Sequence, residues 1–277
     1  MSGKTISPVL KWAGGKTQIL EFITKSMPTA YNNYYEPFIG GGAVWLAVAP
    51  VQAVINDTNA QLINLYRQLK DNGDAVLAWI HRLDGVQANK EFYYQARDAY
   101  NRKIAAQALD AECAALMVWL NKHCFNGLYR VNSKGFFNVP YNNRVGGASV
   151  DEDNFAAIVA YLQQADVMMT CQDFEAACHG VRRGDFVYFD SPYIPMSETA
   201  DFTDYTKDGF SFADHQRLAE LFARLDRVGA KLMLSNNDVS LVYELYHGFH
   251  IRSFDVKRMI NRNASGRKGR EVLVTNY

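Results

Sequence analysis

The residues with the clearest chemical capacity lie in DFVYFDSPY, residues 185–193. An acid closes an apolar run there, and a proline-containing turn with an aromatic follows. Open α/β sheets bind ligands at such strand ends. Asp190 can accept a hydrogen bond from an amine, and the peptide oxygen of Ser191, ahead of Pro192, can accept a second. Tyr193 offers a flat face on which a ring can stack. Together they describe a site for an aromatic amine; the plainer reading is a strand end with an N-cap-like Asp and a core Tyr. A second stretch, EPFIGGG (Glu36 to Gly42), ends a strand and opens a helix. Its glycines let the backbone approach a ligand at a helix N-terminus. The spacing around Phe38, Gly40 and Gly42 is F-x-G-x-G and not the dinucleotide G-x-G-x-x-G. About 20 residues on, Asp57 ends another strand, where an acid commonly accepts from ribose hydroxyls. The pair points to an adenosine-bearing cofactor, or else to a glycine turn and a capping Asp. In the third stretch, LKWAGGK, Trp12 can pack on a cofactor and Lys16 can pair with a carboxylate; a surface turn with a core Trp is the alternative.

These residues need a frame. NYYEPF, VQAVIND, RGDFVYFD, KLMLSNN and EVLVTNY read as short strands, and the stripe Leu218, Leu221, Phe222, Leu225 marks a helix over 212–228. Strands alternating with amphipathic helices predict an α/β fold with a mostly parallel sheet. From 58 to about 125 the strand signal gives way to helical periodicity, and YRVNSKGFFNV then reads as a β-hairpin around Ser-Lys-Gly. The expected division is therefore a catalytic part, 1–57 with 151–277, and an inserted recognition part, 58–150.

With 48% hydrophobic and 21% charged residues, the composition is that of a globular protein and not of a disordered one. Lys+Arg and Asp+Glu are both 29, which excludes a globally basic nucleic-acid binder but leaves room for local patches. Residues 121–144 hold Lys122, Arg130, Lys134 and Arg144 without an acid, and 252–270 hold seven Lys/Arg against Asp255. No apolar run approaches the roughly 18 residues of a membrane span. The first residues hold no apolar core of signal-peptide length, so export is not expected. Cys113, Cys124, Cys171 and Cys178 form no C-x-x-C pair, which argues against a zinc ribbon or a disulfide framework. A reducing cytoplasm is the expected compartment. His123 and Cys124 have no further ligand at suitable spacing, so no metal is expected.

KWAGGK, EPFIGGG and DSPY, in this order, resemble the Dam family of S-adenosylmethionine-dependent DNA adenine-N6 methyltransferases, and within it the Dpn-type methylases. NGLYRVNSKGFFNVPY (126–141) and the terminal VTNY also look like that family, so the resemblance spans nearly the whole chain. It implies a Rossmann-like methyltransferase sheet with an inserted helical and β-hairpin target-recognition domain. It implies S-adenosylmethionine as cofactor, contacted by Trp12, Lys16, Phe38, Gly40, Gly42, Asp57 and Asp190. Asp190, Ser191, Pro192 and Tyr193 would hold the target base. Double-stranded DNA would be the partner, read at GATC through Lys11, Asn126, Leu128, Arg130 and Pro140, with the adenine flipped out of the duplex. Lys268 and Arg270, at the end of an Asn-, Gly- and Arg-rich stretch, would clamp phosphates, or else belong to a plain surface loop. A bacterial or phage-encoded monomer or weak dimer is expected. Ser191 stands where the family has proline. Serine keeps the backbone carbonyl, so a looser turn with the chemistry retained is expected. A sequence-specific binder that has lost catalysis and a cytosine-N4 methyltransferase are the alternatives.

Overall fold

The computed structural model describes residues 5–143, 146–195, 209–257 and 268–277, apart from the side chains of Lys257 and Lys268. In chain order these form α1 (Leu20–Ser26), β1 (Tyr34–Glu36), α2 (Ala43–Val48), β2 (Gln52–Asn56), α3 (Ala60–Asp84), α4 (Lys90–Ala105), α5 (Ala111–His123), α6 (Glu152–Gln164), β3 (Asp166–Thr170), α7 (Phe174–Ala177), β4 (Phe186–Phe189), α8 (Phe212–Val228), β5 (Lys231–Asn237), α9 (Ser240–Leu245), β6 (His250–Lys257) and β7 (Lys268–Thr275). The sheet order is β3-β2-β1-β4-β5-β7-β6. β1 pairs in parallel with β2 and β4, and β4 with β5, while β7 runs antiparallel to both β5 and β6. The run 3-2-1-4-5 is that of a doubly wound sheet, as expected for a Rossmann-like α/β protein, and its direction of winding reverses at β1 and β4.

Two compact units divide the chain. One contains Met1–Thr17, Ile39–Val51 and Asp57–Cys171; the other contains Gln18–Phe38, Gln52–Asn56 and Gln172–Tyr277. In the first unit, helices α3 to α6 begin at Asn59, Asn89, Asp110 and Asp151, each accepting a bond from a backbone N–H of the opening turn. Such caps satisfy donors that have no partner within the helix. α5 is buried from Cys113 through Asn121, the pattern of a helix enclosed on all sides. α3 departs from helical geometry at Asn72 (φ −140°), and the next residue, Gly73, lies so close to Val159 that a Cβ would sit 2.8 Å from its methyl. The Ser-Lys-Gly turn is looser than a regular ladder. It has one antiparallel bridge, Val131 to Phe137, and is closed by Asn132 Oδ1, which accepts from the N–H groups of Lys134 and Phe136.

In the second unit, the core is built from Val187, Phe189, Leu232, Leu234, Val272 and Val274 of the sheet against Leu218, Leu221, Phe222 and Leu225 of α8. Every residue of β4 is buried, as a central strand covered on both faces requires. α8 starts in a reciprocal capping box between Ser211 and Asp214 and stops at Gly229, whose φ of +88° terminates it in the left-handed region. β6 had only its basic residues to mark it in the sequence. HIRSFDVK mixes charge with apolar positions, and antiparallel pairing with β7 determines its conformation.

Candidate active site

β4 runs out into Asp190 at the reversal point of the sheet. Asp190 Oδ1 accepts a hydrogen bond from Ser235 Oγ at 2.9 Å, and the Ser235 hydroxyl lies 2.9 Å from that of Tyr188. The register Phe189 to Leu234 puts Asp190 and Tyr188 on the same face of the sheet as Ser235. Ser191 is 2% exposed, and its buried hydroxyl has no hydrogen-bond partner among the described residues. Proline is not the only means of fixing such a turn. Ile194 N–H donates to Asn236 Oδ1 at 2.9 Å, and Ile194 O accepts from Asn237 Nδ2 at 2.7 Å. The expectation of a looser turn must be set against this two-point clamp. Tyr193 is half-buried and donates its phenolic hydrogen to Glu271 Oε2 at 3.1 Å. Burial first, then the negative charges of Asp190 and Glu271, push that phenol well above its ordinary value, so it remains a donor. Phe38, which follows β1, packs on Phe174 and edge-on against Phe210, and His215 lies edge-on to Phe210.

The glycine loop belongs to the other unit from Ile39 onward. Asp57 Oδ2 accepts from Gly40 N–H at 3.1 Å and Oδ1 from Asn59 N–H at 2.9 Å. Asp57 therefore ties the loop to the start of α3, whose cap is Asn59. Burial holds the Asp57 carboxyl above its usual range despite these two donors. Trp12 packs against the loop: a Cβ on Gly40 would lie 3.0 Å from its ring and one on Gly41 would lie 2.8 Å from its Cβ. Its ring stacks on Tyr129 with centroids 5.2 Å apart. Gly42 has a φ of +77° and leaves no space for a Cβ beside the Tyr66 hydroxyl, which donates to Gly41 O. Lys16 is buried, with Nζ donating to Gly14 O at 2.6 Å. The structure thus gathers Trp12, Gly40, Gly42 and Asp57 around one loop.

Lys11 is exposed and lies against the base of the Ser-Lys-Gly arm. Asn121 exchanges hydrogen bonds with both backbone groups of Lys11 and donates to Gly127 O, while the Lys11 stem packs where a Gly127 Cβ would be. Asn126 is exposed and left-handed at φ +57°, Leu128 is half-buried, and Pro140 O accepts from Phe125 N–H. Arg130 is exposed and donates to the side chain and carbonyl of Asn138. Arg270, on β7 in the other unit, is engaged by Asp238 at 3.3 Å and donates to Ser253 Oγ. Arg144, residues 196–208 and 258–267, and the Lys268 side chain lie outside the described residues.

Sequence reading missed Ser235, Asn236, Asn237, Glu271 and Tyr129. A usable signal existed for the first three: three polar residues close an apolar strand in KLMLSNN. Among the described residues no group of three or more His, Cys, Asp or Glu could hold a metal ion, and no helix is long and apolar enough to cross a membrane. His123 stacks on Trp119 and its ring Nδ1 pairs with the Trp119 carbonyl.

Residues 12–260 match the model of the D12 class N6 adenine-specific DNA methyltransferases. The type II methyltransferase M1.LlaDCHI of Lactococcus lactis subsp. cremoris is 42% identical over 98% of this chain and 96% of its own. The type II methyltransferase M.MjaIII of Methanocaldococcus jannaschii is 39% identical over 98% of this chain and 99% of its own. The DNA adenine methylase of Haemophilus influenzae is 32% identical over 96% and 92% respectively. With near full-length coverage by a family model and by these relatives, the chain belongs to the D12 class of N6 adenine-specific DNA methyltransferases.

Proposed function

We propose that this methyltransferase acts on the adenine of GATC in double-stranded DNA, flips that base out of the helix, and uses S-adenosylmethionine as methyl donor. The arrangement that carries the reading is Asp190 at the end of a buried strand, held at Oδ1 by Ser235 and followed by a turn clamped at Ile194. Adenine N6 is a poor nucleophile because its lone pair is delocalised into the ring. Acceptors on both N–H groups draw the nitrogen toward tetrahedral geometry and localise that pair. Asp190 and the Ser191 carbonyl are assigned as the two acceptors, and their effect grows as positive charge develops on nitrogen. N6 cannot be approached in line inside a duplex, so the base leaves the stack and rests on Tyr193.

Bound S-adenosylmethionine would supply a methyl already activated by its sulfonium, so transfer needs alignment more than a covalent enzyme intermediate. The donor set on this chain fits such a group. Asp57 spends one bond per oxygen on Gly40 and Asn59, and a carboxylate with about four acceptor positions has capacity left for ribose hydroxyls. Trp12, Lys16, Phe38, Gly40, Gly42, Asp57 and Asp190 are assigned to hold it. Residues 58–150 are assigned to target recognition and the rest to catalysis, the enzyme acting as a monomer or weak dimer. Arg130 and Asn126 suit guanine and adenine edges, with Lys11, Leu128 and Pro140 beside them, while Lys268 and Arg270 are assigned to phosphates.

Labelled S-adenosylmethionine and unmethylated DNA, followed by digestion with nucleases that discriminate methylated GATC, test the whole reading. Label in N6-methyladenine within GATC supports it, and label at another sequence corrects the specificity. Folded Asp190→Ala that transfers methyl within about three-fold of the parent removes the catalytic assignment.

A further inference from the structure

We infer that Ser235 is a positioning residue for methyl transfer, the middle member of a one-directional hydrogen-bond relay from Tyr188 through Ser235 to Asp190. The inference deepens the catalytic assignment above and rests on Asp190 being the acceptor for the target amine. Ser235 and Tyr188 are fully buried, at 0% exposure each. A serine hydroxyl carries one hydrogen, and an ionised carboxylate only accepts. Since Ser235 Oγ spends its hydrogen on Asp190 Oδ1, the 2.9 Å contact with Tyr188 is one in which the phenol donates. Burial, together with the charge of Asp190, pushes the Tyr188 phenol well above its ordinary value and keeps it in the donating form. Both ends of the relay are rigid. Tyr188 and Asp190 lie two residues apart on one strand, and Ser235 lies on the same face of the strand paired with it. The buried hydroxyls of Tyr188 and Ser235 are held by these two bonds, and the bond at Oδ1 restrains the Asp190 carboxylate.

A relay that only satisfied buried polar groups would affect folding and nothing else. A relay that aims Asp190 affects turnover, and through the same carboxylate the cofactor, without weakening the affinity for DNA. Steady-state kcat and KM for DNA and for S-adenosylmethionine are to be measured with Ser235→Ala, Ser235→Cys, Tyr188→Phe and the Ala/Phe double variant, with thermal unfolding of each. Ser235→Ala is expected to lower kcat roughly 10- to 100-fold with the KM for DNA within about two-fold. Ser235→Cys, similar in size and still a weak donor, is expected to regain part of that loss. Tyr188→Phe is expected to cost less, and the double variant no more than Ser235→Ala alone, because the relay passes through Ser235. Folded Ser235→Ala with kcat within about two-fold of the parent overturns the inference, as do losses that multiply in the double variant. If Ser235→Ala does not fold, parent-like kcat in both Ser235→Cys and Tyr188→Phe overturns it instead. Asp190→Ala in the same assay separates the two levels. Activity in that variant removes the catalytic assignment itself, whereas inactivity there with parent-like Ser235 variants removes the relay alone.

Discussion

Ser191→Ala perturbs the position at which the resemblance implies a proline. The Ser191 side chain is 2% exposed and its oxygen finds no hydrogen-bond partner among the described residues. A buried hydroxyl left unsatisfied costs about 1–3 kcal/mol, and replacing it by an apolar group removes that cost. The void left by one oxygen costs under about 1 kcal/mol. Ser191→Ala is therefore expected to stabilise the enzyme by about 1–2 kcal/mol. That appears in urea as a higher midpoint with unchanged m, and in heating as a rise of about 2 °C for each kcal/mol. The proposed acceptor at this residue is the peptide carbonyl, which alanine keeps, and the clamp at Ile194 does not involve the side chain. Methyl transfer is thus expected to stay within about three-fold of the parent. Destabilisation by more than about 1 kcal/mol, or a kcat loss above about ten-fold, would mean that the hydroxyl has a working partner and would refute the reasoning.

Other perturbations follow from the same geometry. Asp57→Ala leaves the Gly40 and Asn59 N–H groups without their charged acceptor and is expected to weaken S-adenosylmethionine binding at least about ten-fold, read by calorimetric titration. Because burial raises the Asp57 pKa in the fold, its contribution to stability is greatest below the unfolded pKa and is lost as pH rises through the folded one. Cofactor binding needs the anion and runs the opposite way, weakening as pH falls through the folded value; Asp57→Asn should flatten that dependence. His215 is buried and held down to about 4, so stability is expected to fall as pH drops from about 6.5 to that value, by up to ~3 kcal/mol. Denaturant midpoints across acid buffers should lose that slope in His215→Phe. Gly42→Ala forces a side chain into φ +77° against Tyr66 and is expected to cost more than about 1 kcal/mol and to weaken cofactor binding, measured in the same titrations. Arg130→Ala is expected to cost about 1–3 kcal/mol in specific DNA binding and to relax discrimination at one base pair, where loss of a phosphate contact would act evenly on all sequences.

Much of the frame could be read from residue order because its central strands hold short apolar runs. FVYF and KLMLSNN belong to buried strands that pair in parallel with each other, KLMLSNN pairing antiparallel with β7 on its other side. The helical periodicity from 58 to about 125 was legible, while the caps Asn59, Asn89, Asp110 and Asp151 that start the helices were not singled out. Asp190 stood out because an acid ends an apolar strand. Ser235 did not, because an isolated serine near a strand end looks like the start of a turn until the neighbouring strand is known. Glu271 lies 78 residues from Tyr193, and only strand pairing brings the two together. The Trp12–Tyr129 stack is equally long-range, so a tryptophan read as a cofactor surface already has one aromatic neighbour. β6 escaped notice because antiparallel pairing with β7, and not its own composition, makes it a strand.

The position of β7 sets an order of events on the ribosome. It is translated after β6 yet lies between β5 and β6. While the nascent chain lacks it, β6 has no strand to join and β5 presents a bare apolar edge, Leu232 to Leu234, of the kind that recruits other chains. The Tyr188–Ser235–Asp190 relay needs only β4 and β5, so it can assemble early. The tether from Tyr193 to Glu271 closes only when β7 emerges.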